Sequence, residues 1–179
     1  MKNELSTNDR VINSTGIILE NCAKSLNAEI ISFILYGSRA GNSRNTQNDY
    51  EMIVLLGDNT ALSVYIKFIN LLRIELIREK LLQVKILVYT PDIFEDMLYN
   101  DESVGAFLYM ICKESQIIYD KYGSFTAIRE RIAANSVTDE ENFIKQCIAF
   151  SKKMSSEKWR QKWEKTLMQY NYMKKRREY

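Results

Sequence analysis

Ile34-Leu-Tyr-Gly-Ser-Arg-Ala-Gly-Asn-Ser-Arg-Asn-Thr-Gln-Asn-Asp-Tyr-Glu-Met-Ile-Val-Leu-Leu56 is the stretch around which the chain is arranged. An apolar run, Ile30 to Tyr36, ends in Gly37-Ser38, and a polar loop follows. A second run begins with Asp49-Tyr50-Glu51 and continues through Leu56. Both runs have strand length and carry β-branched or aromatic residues. Side chains alternate along a strand, so Asp49 and Glu51 point one way and Tyr50 the other. Two carboxylates held side by side repel unless a cation lies between them. Mg²⁺ suits such a pair, because it usually takes one or two carboxylates together with substrate phosphates. Gly37 lets the backbone approach a phosphate closely. Its neighbouring N–H groups and the Ser38 hydroxyl offer hydrogen bonds to phosphate oxygens. A phosphate grip ending one strand and a metal grip on its neighbour make a site for a nucleoside triphosphate.

The pattern resembles the nucleotidyltransferase superfamily related to DNA polymerase β, and within it the small minimal nucleotidyltransferases. Their motif is an apolar strand, Gly-Ser, ten residues, then Asp-x-Asp or Asp-x-Glu. Ten residues separate Ser38 from Asp49 here, and Gly37-Ser38-Arg39-Ala40 matches the usual start of the loop. Gly41-Asn42 stands where the family often has Arg-Gly or Thr-Gly, and Glu51 where Asp is commonest. The resemblance implies an α/β (α+β) fold, a small mixed sheet packed by helices. It implies an NTP held by Gly37, Ser38 and Arg39, and Mg²⁺ or Mn²⁺ held by Asp49 and Glu51. The implied reaction is transfer of NMP to a hydroxyl of a protein, an RNA or a small molecule.

One position departs from the family. Gln83-Val-Lys-Ile-Leu-Val-Tyr89 reads as a third strand feeding Thr90-Pro91, an N-cap followed by proline at the first helical position. Active members carry a third acid five residues before that threonine; here it is Lys85. Lysine neither coordinates Mg²⁺ nor accepts a proton while charged. The alternation puts Lys85 on one face with Leu87, near Asp49 or Glu51, so Lys85 joins those two acids as a candidate catalytic residue. The alternative function is a weakened or inactive module of the same fold, acting as an antitoxin or regulatory binding subunit.

Composition narrows the chemistry further. The 179 residues are 46% hydrophobic, ordinary for a globular chain, and include no histidine. A Ser-His-Asp triad, a histidine base and a histidine metal site are therefore excluded. Cys22, Cys112 and Cys147 are widely spaced and read as small core residues in a reducing cytoplasm. No apolar run has membrane-spanning length. Many minimal nucleotidyltransferases are antitoxins of a separately encoded helical RNase toxin, which makes such a toxin a candidate partner.

Outside the motif, a helix is expected from about Asn8 to Leu26, with Ser6, Thr7 or Asn8 as its cap. Another is expected up to about Lys80, capped by Asp58 or Asn59, with Leu62, Tyr65, Ile66, Ile69, Leu72, Leu76 and Ile77 as its core stripe. A helix from Pro91 to Tyr99 follows, and Phe107 to Asp120 reads as a helix and a closing strand. The nucleotidyltransferase domain is taken as residues 1–122 and a helical extension as 123–179. In the extension, Gly123-Ser124 opens a helix and Thr138 to Glu141 reads as a capping box. One long final helix is expected from Asp139 past Tyr170, packing through Phe143, Cys147, Phe150, Met154 and Trp159. From Ser151 onward ten Lys/Arg face three Asp/Glu, a net of +7 in a chain whose total is +2. That asymmetry marks the tail as a surface for a protein or RNA partner.

Overall fold

A computed structural model describes residues 9–40, 49–100, 102–135, 140–153, 155 and 157–177. It is a mixed α/β structure. The strands are β1 (Ile30–Tyr36), β2 (Tyr50–Leu56), β3 (Val84–Tyr89) and β4 (Gln116–Asp120), in the order β3-β2-β1-β4. Strand β1 runs antiparallel to both β2 and β4, whereas β2 and β3 are parallel. The parallel pair needs a crossover, which α2 (Leu62–Arg78) supplies. The other helices among the described residues are α1 (Arg10–Ser25), α3 (Pro91–Asn100), α4 (Glu102–Glu114), α5 (Ser124–Asn135), α6 (Glu140–Lys153) and α7 (Glu157–Arg177).

Helices cover both faces of the sheet, which is why every residue of β1 is buried. Phe33, Leu35, Met52, Val54 and Val88 face α1 and α2. Ile34, Tyr36, Ile53, Leu55 and Leu87 face α3, α4 and α5. Phe125, Ile128 and Ile132 of α5 belong to that second core, although α5 lies beyond residue 122. None of the three cysteines is in a disulfide, and all three are buried. Burial pushes the Cys22 thiol up to about 11 and those of Cys112 and Cys147 to about 12, so none is a thiolate nucleophile at neutral pH. Among the described residues no helix is long and apolar enough to cross a membrane.

Three expectations about α1 and α2 change. The cap of α1 is Asp9, whose Oδ1 accepts from the N–H groups of Val11 and Ile12; residues 1–8 lie outside the described part. Helix α2 starts after Ala61 with no side-chain cap. Asp58 instead lies beside Asp92 at the start of α3, and the Thr60 hydroxyl donates to the Gly57 carbonyl. The buried stripe of α2 is Phe68, Leu72 and Leu76, while Leu62, Ile66 and Ile77 face outward. The helix is apolar on two sides, and periodicity alone does not say which side meets the sheet.

The long final helix is two helices. Ser155 adopts a left-handed conformation (φ 51°) between α6 and α7, and its N–H bonds the Lys152 carbonyl. The hairpin so formed packs on α4 through Ile144, Cys147 and Trp163, with Met110 beside them. Of the expected packing positions, the side chains of Phe143, Phe150, Met154 and Trp159 lie outside the described part, as do residues 138 and 139 of the expected capping box.

Candidate functional site

The antiparallel register of β1 and β2 sets Tyr36 directly opposite Glu51. Gly37 follows at φ 74°, and residues Gly37–Arg39 form a single 3-10 turn. This turn lies hard against the acid: a Cβ added to Gly37 would overlap Glu51 Oε2. Glycine is required twice over, by its left-handed backbone and by the carboxylate that fills the space of a side chain. Asp49 immediately precedes β2.

The parallel register of β2 and β3 sets Lys85 opposite Glu51. The Lys85 ammonium reaches past that residue to Asp49, with Nζ 2.6 Å from Oδ2. Asp49, Glu51 and Lys85 therefore form one cluster at the end of β1 and the start of β2 and β3. The ion pair is open to solvent, at 66% and 45% side-chain exposure, so it adds little to fold stability. Its effect is on the charge of the site. Burial pushes the Glu51 carboxyl above its ordinary value; Lys85 pulls it down and Asp49 pushes it up again. The hydrogen bond to Asp49 holds the Lys85 ammonium above its usual range.

The floor beneath Glu51 is aromatic. Tyr36 packs edge-on against Phe107, with ring centroids 5.7 Å apart. Burial, then the charge of Glu51 and the nearby Tyr89, raises the Tyr36 phenol well above its ordinary value. That hydroxyl stays neutral and supplies no base.

Arg39 takes a different direction from the acids. Its guanidinium lies over the Tyr50 ring, 3.8 Å from the centroid, on the α1 side of β2. The Tyr50 hydroxyl donates to Asp9 Oδ2 at 2.9 Å, while Asp9 Oδ1 caps α1. One residue between the two acids is thus tied to a helix start and to the Gly-Ser turn. Sequence reasoning had Tyr50 pointing away from the acids but did not find Asp9 as its partner, and it missed Tyr36 and Phe107. The alternation was a usable signal for Tyr36, which must share the face of Glu51.

Two carboxylates and a triphosphate fit one divalent cation. A second ion would need a third acid, and Lys85 occupies the facing position on β3. Among the described residues no cluster of three or more His, Cys, Asp or Glu side chains is arranged to hold a metal without a substrate's help. The groove of about 730 Å³ between α1 and α2 is lined by none of Gly37, Ser38, Arg39, Asp49, Glu51 and Lys85. Searches against protein-family models, curated proteins and solved structures return no match for this chain.

Proposed function

We propose that this chain is a nucleotidyltransferase of the DNA polymerase β-like kind, which binds an NTP with one divalent cation and passes NMP to a hydroxyl acceptor. The observation that supports this reading is the fit of the Gly37 turn against Glu51, with Asp49 and Lys85 beside them. The order α1-β1-β2-α2-β3 with a mixed sheet agrees with the fold the sequence motif implies.

Each residue then has a role. The Gly37 backbone and the Ser38 hydroxyl receive the terminal phosphates. Asp49 and Glu51 hold Mg²⁺ or Mn²⁺, which when bound neutralises the triphosphate and polarises the α-phosphate. The acceptor oxygen forms a bond to the α-phosphorus as the bond to the β-phosphate oxygen breaks and pyrophosphate leaves. The acceptor's proton passes to water, since charged Lys85 cannot take it. Without a third carboxylate the reaction is slow.

The ion pair of Lys85 with Asp49 favours a second reading, a module that binds nucleotide without transferring it. It would then act by contact, on a separately encoded helical RNase or another partner of its basic C-terminal helix. Incubating the protein with labelled NTPs, Mg²⁺ or Mn²⁺ and a cell lysate separates the two. Slow labelling of an acceptor is expected, and Lys85→Asp raises the rate about tenfold or more by restoring a third ligand. Rapid transfer by wild type that Lys85→Asp abolishes would overturn this account of Lys85. Metal-dependent binding with no labelled acceptor for either protein selects the second reading.

A further inference from the structure

Helix α2 carries an apolar stripe that nothing among the described residues covers. Leu62, Ile66, Ile74 and Ile77 are between 50% and 70% exposed, and Leu82, just past the helix end, is 75% exposed. Scattered exposed aliphatic residues are ordinary, but several on one helix face mark an interaction surface. At 100° per residue these four fall within about 120° of one face, and Asn70, itself exposed, lies on that face at their midpoint along the axis. Ile66 and Ile74 stand four residues before and after Asn70. Leu62 stands eight before it and Ile77 seven after. The pattern reads nearly the same in both directions, which is what a two-fold interface requires: residue i meets j and j meets i.

We propose that α2 packs antiparallel against α2 of a second copy of this chain, about a two-fold axis through Asn70. Ile66 then meets the partner's Ile74, and Leu62 meets the partner's Ile77. Covering both stripes with their flanking residues removes on the order of 1,000 Å² from water, the size at which specific interfaces begin. Asn70 faces its own mate at the centre. There a paired amide fixes the register, because any slip leaves it unpartnered against aliphatic groups. Lys67 and Arg73, both exposed, flank the stripe. They place like charges on the two rims, so salt strengthens this dimer by screening them. An association through the basic C-terminal helix would respond in the opposite sense. The proposal stands independently of the nucleotide site, which lies at the start of β2 and β3.

The test is sedimentation equilibrium of the full chain at low and high salt, with Ile66→Glu and Ile74→Glu, followed by cysteine cross-linking. Wild type should be a dimer at micromolar concentrations, tighter at high salt, and either charged variant should be a monomer. Both substitutions fall at exposed positions, so circular dichroism should show the fold retained. All three native thiols are buried, which leaves an introduced cysteine as the accessible one. Helix axes about 8–10 Å apart bring facing Cα atoms within disulfide reach. Asn70→Cys should therefore form a linked dimer under mild oxidation. Leu62→Cys should not, because Leu62 lies roughly 24 Å along the axis from its own mate. A monomeric wild type, a dimer that survives Ile66→Glu and Ile74→Glu, or efficient cross-linking at position 62 rather than 70 would overturn the proposal.

Discussion

Gly37 shows how one residue can constrain a site without supplying a functional group. Its φ of 74° and the Glu51 oxygen that fills the place of a methyl group leave no room for a side chain. Gly37→Ala should cost about 1–2 kcal/mol from the left-handed backbone. Its larger effect should be on binding, because the Glu51 carboxylate is the mobile neighbour and must move aside. Metal-dependent nucleotide affinity should fall at least tenfold, measured by calorimetry beside a urea titration. Two acids in this chain should respond to pH with opposite sign. Burial raises the Asp120 carboxyl, but hydrogen bonds from Ser32, Thr126 and Phe125 more than offset this and hold it low. Its stabilisation is present above the unfolded-state value and is lost as pH falls through the folded one. Asp120→Asn should cost about 1–2 kcal/mol at neutral pH, the worth of a cap at the start of α5, and progressively less on acidification. Glu51, raised chiefly by burial, contributes in reverse: its stabilisation is present in acid and lost as pH rises. Glu51→Gln should therefore raise the melting temperature at neutral pH, with the gain vanishing below the carboxylate range, while abolishing metal binding.

At the scale of elements, the sheet was readable because each strand carries its own signal. Ile30 to Tyr36 is apolar but for Ser32, Met52 to Leu56 is an uninterrupted apolar run, and Thr90-Pro91 marks the end of β3 by capping chemistry. Lys85 was placed correctly by counting back from that cap along an alternating strand. Helix α2 was read in part: Leu72 and Leu76 are buried and Tyr65 and Ile69 pack on the core, but the helix is apolar on two sides, so Phe68 was missed and Leu62, Ile66 and Ile77 face outward. The break between α6 and α7 falls at Met154-Ser155-Ser156, without glycine or proline. Nothing local announces that Ser155 will take a left-handed conformation. The position of Arg39 over Tyr50 was not legible, because the Tyr50 hydroxyl is tied to Asp9 at the start of another element. Helix α7 is anchored by Trp163, Leu167 and Tyr170 against α6 and Met110. Removing residues 174–179 spares these contacts, so the truncated chain should melt within about 2 °C of wild type. It should also bind nucleotide equally well. A folded truncation that no longer binds nucleotide would make the tail part of the site.

At the scale of the molecule, one sheet separates two cores and gathers the ends of three strands at one edge of the fold. Residues 1–150 carry a net charge of −5 against +7 beyond them, which keeps the acidic site and the basic helix electrically distinct. The cluster of Asp49, Glu51 and Lys85 has a charge of −1 when ionised, enough to attract one divalent cation with a triphosphate but poorly suited to two. The central claim is therefore a count. Electron paramagnetic resonance of Mn²⁺, titrated into the protein with a non-hydrolysable NTP analogue, reads that count directly. One Mn²⁺ per chain is expected, dependent on the nucleotide and weakened at least tenfold in Asp49→Asn. Two ions per chain, or Mn²⁺ binding that ignores both the nucleotide and Asp49→Asn, would contradict the account.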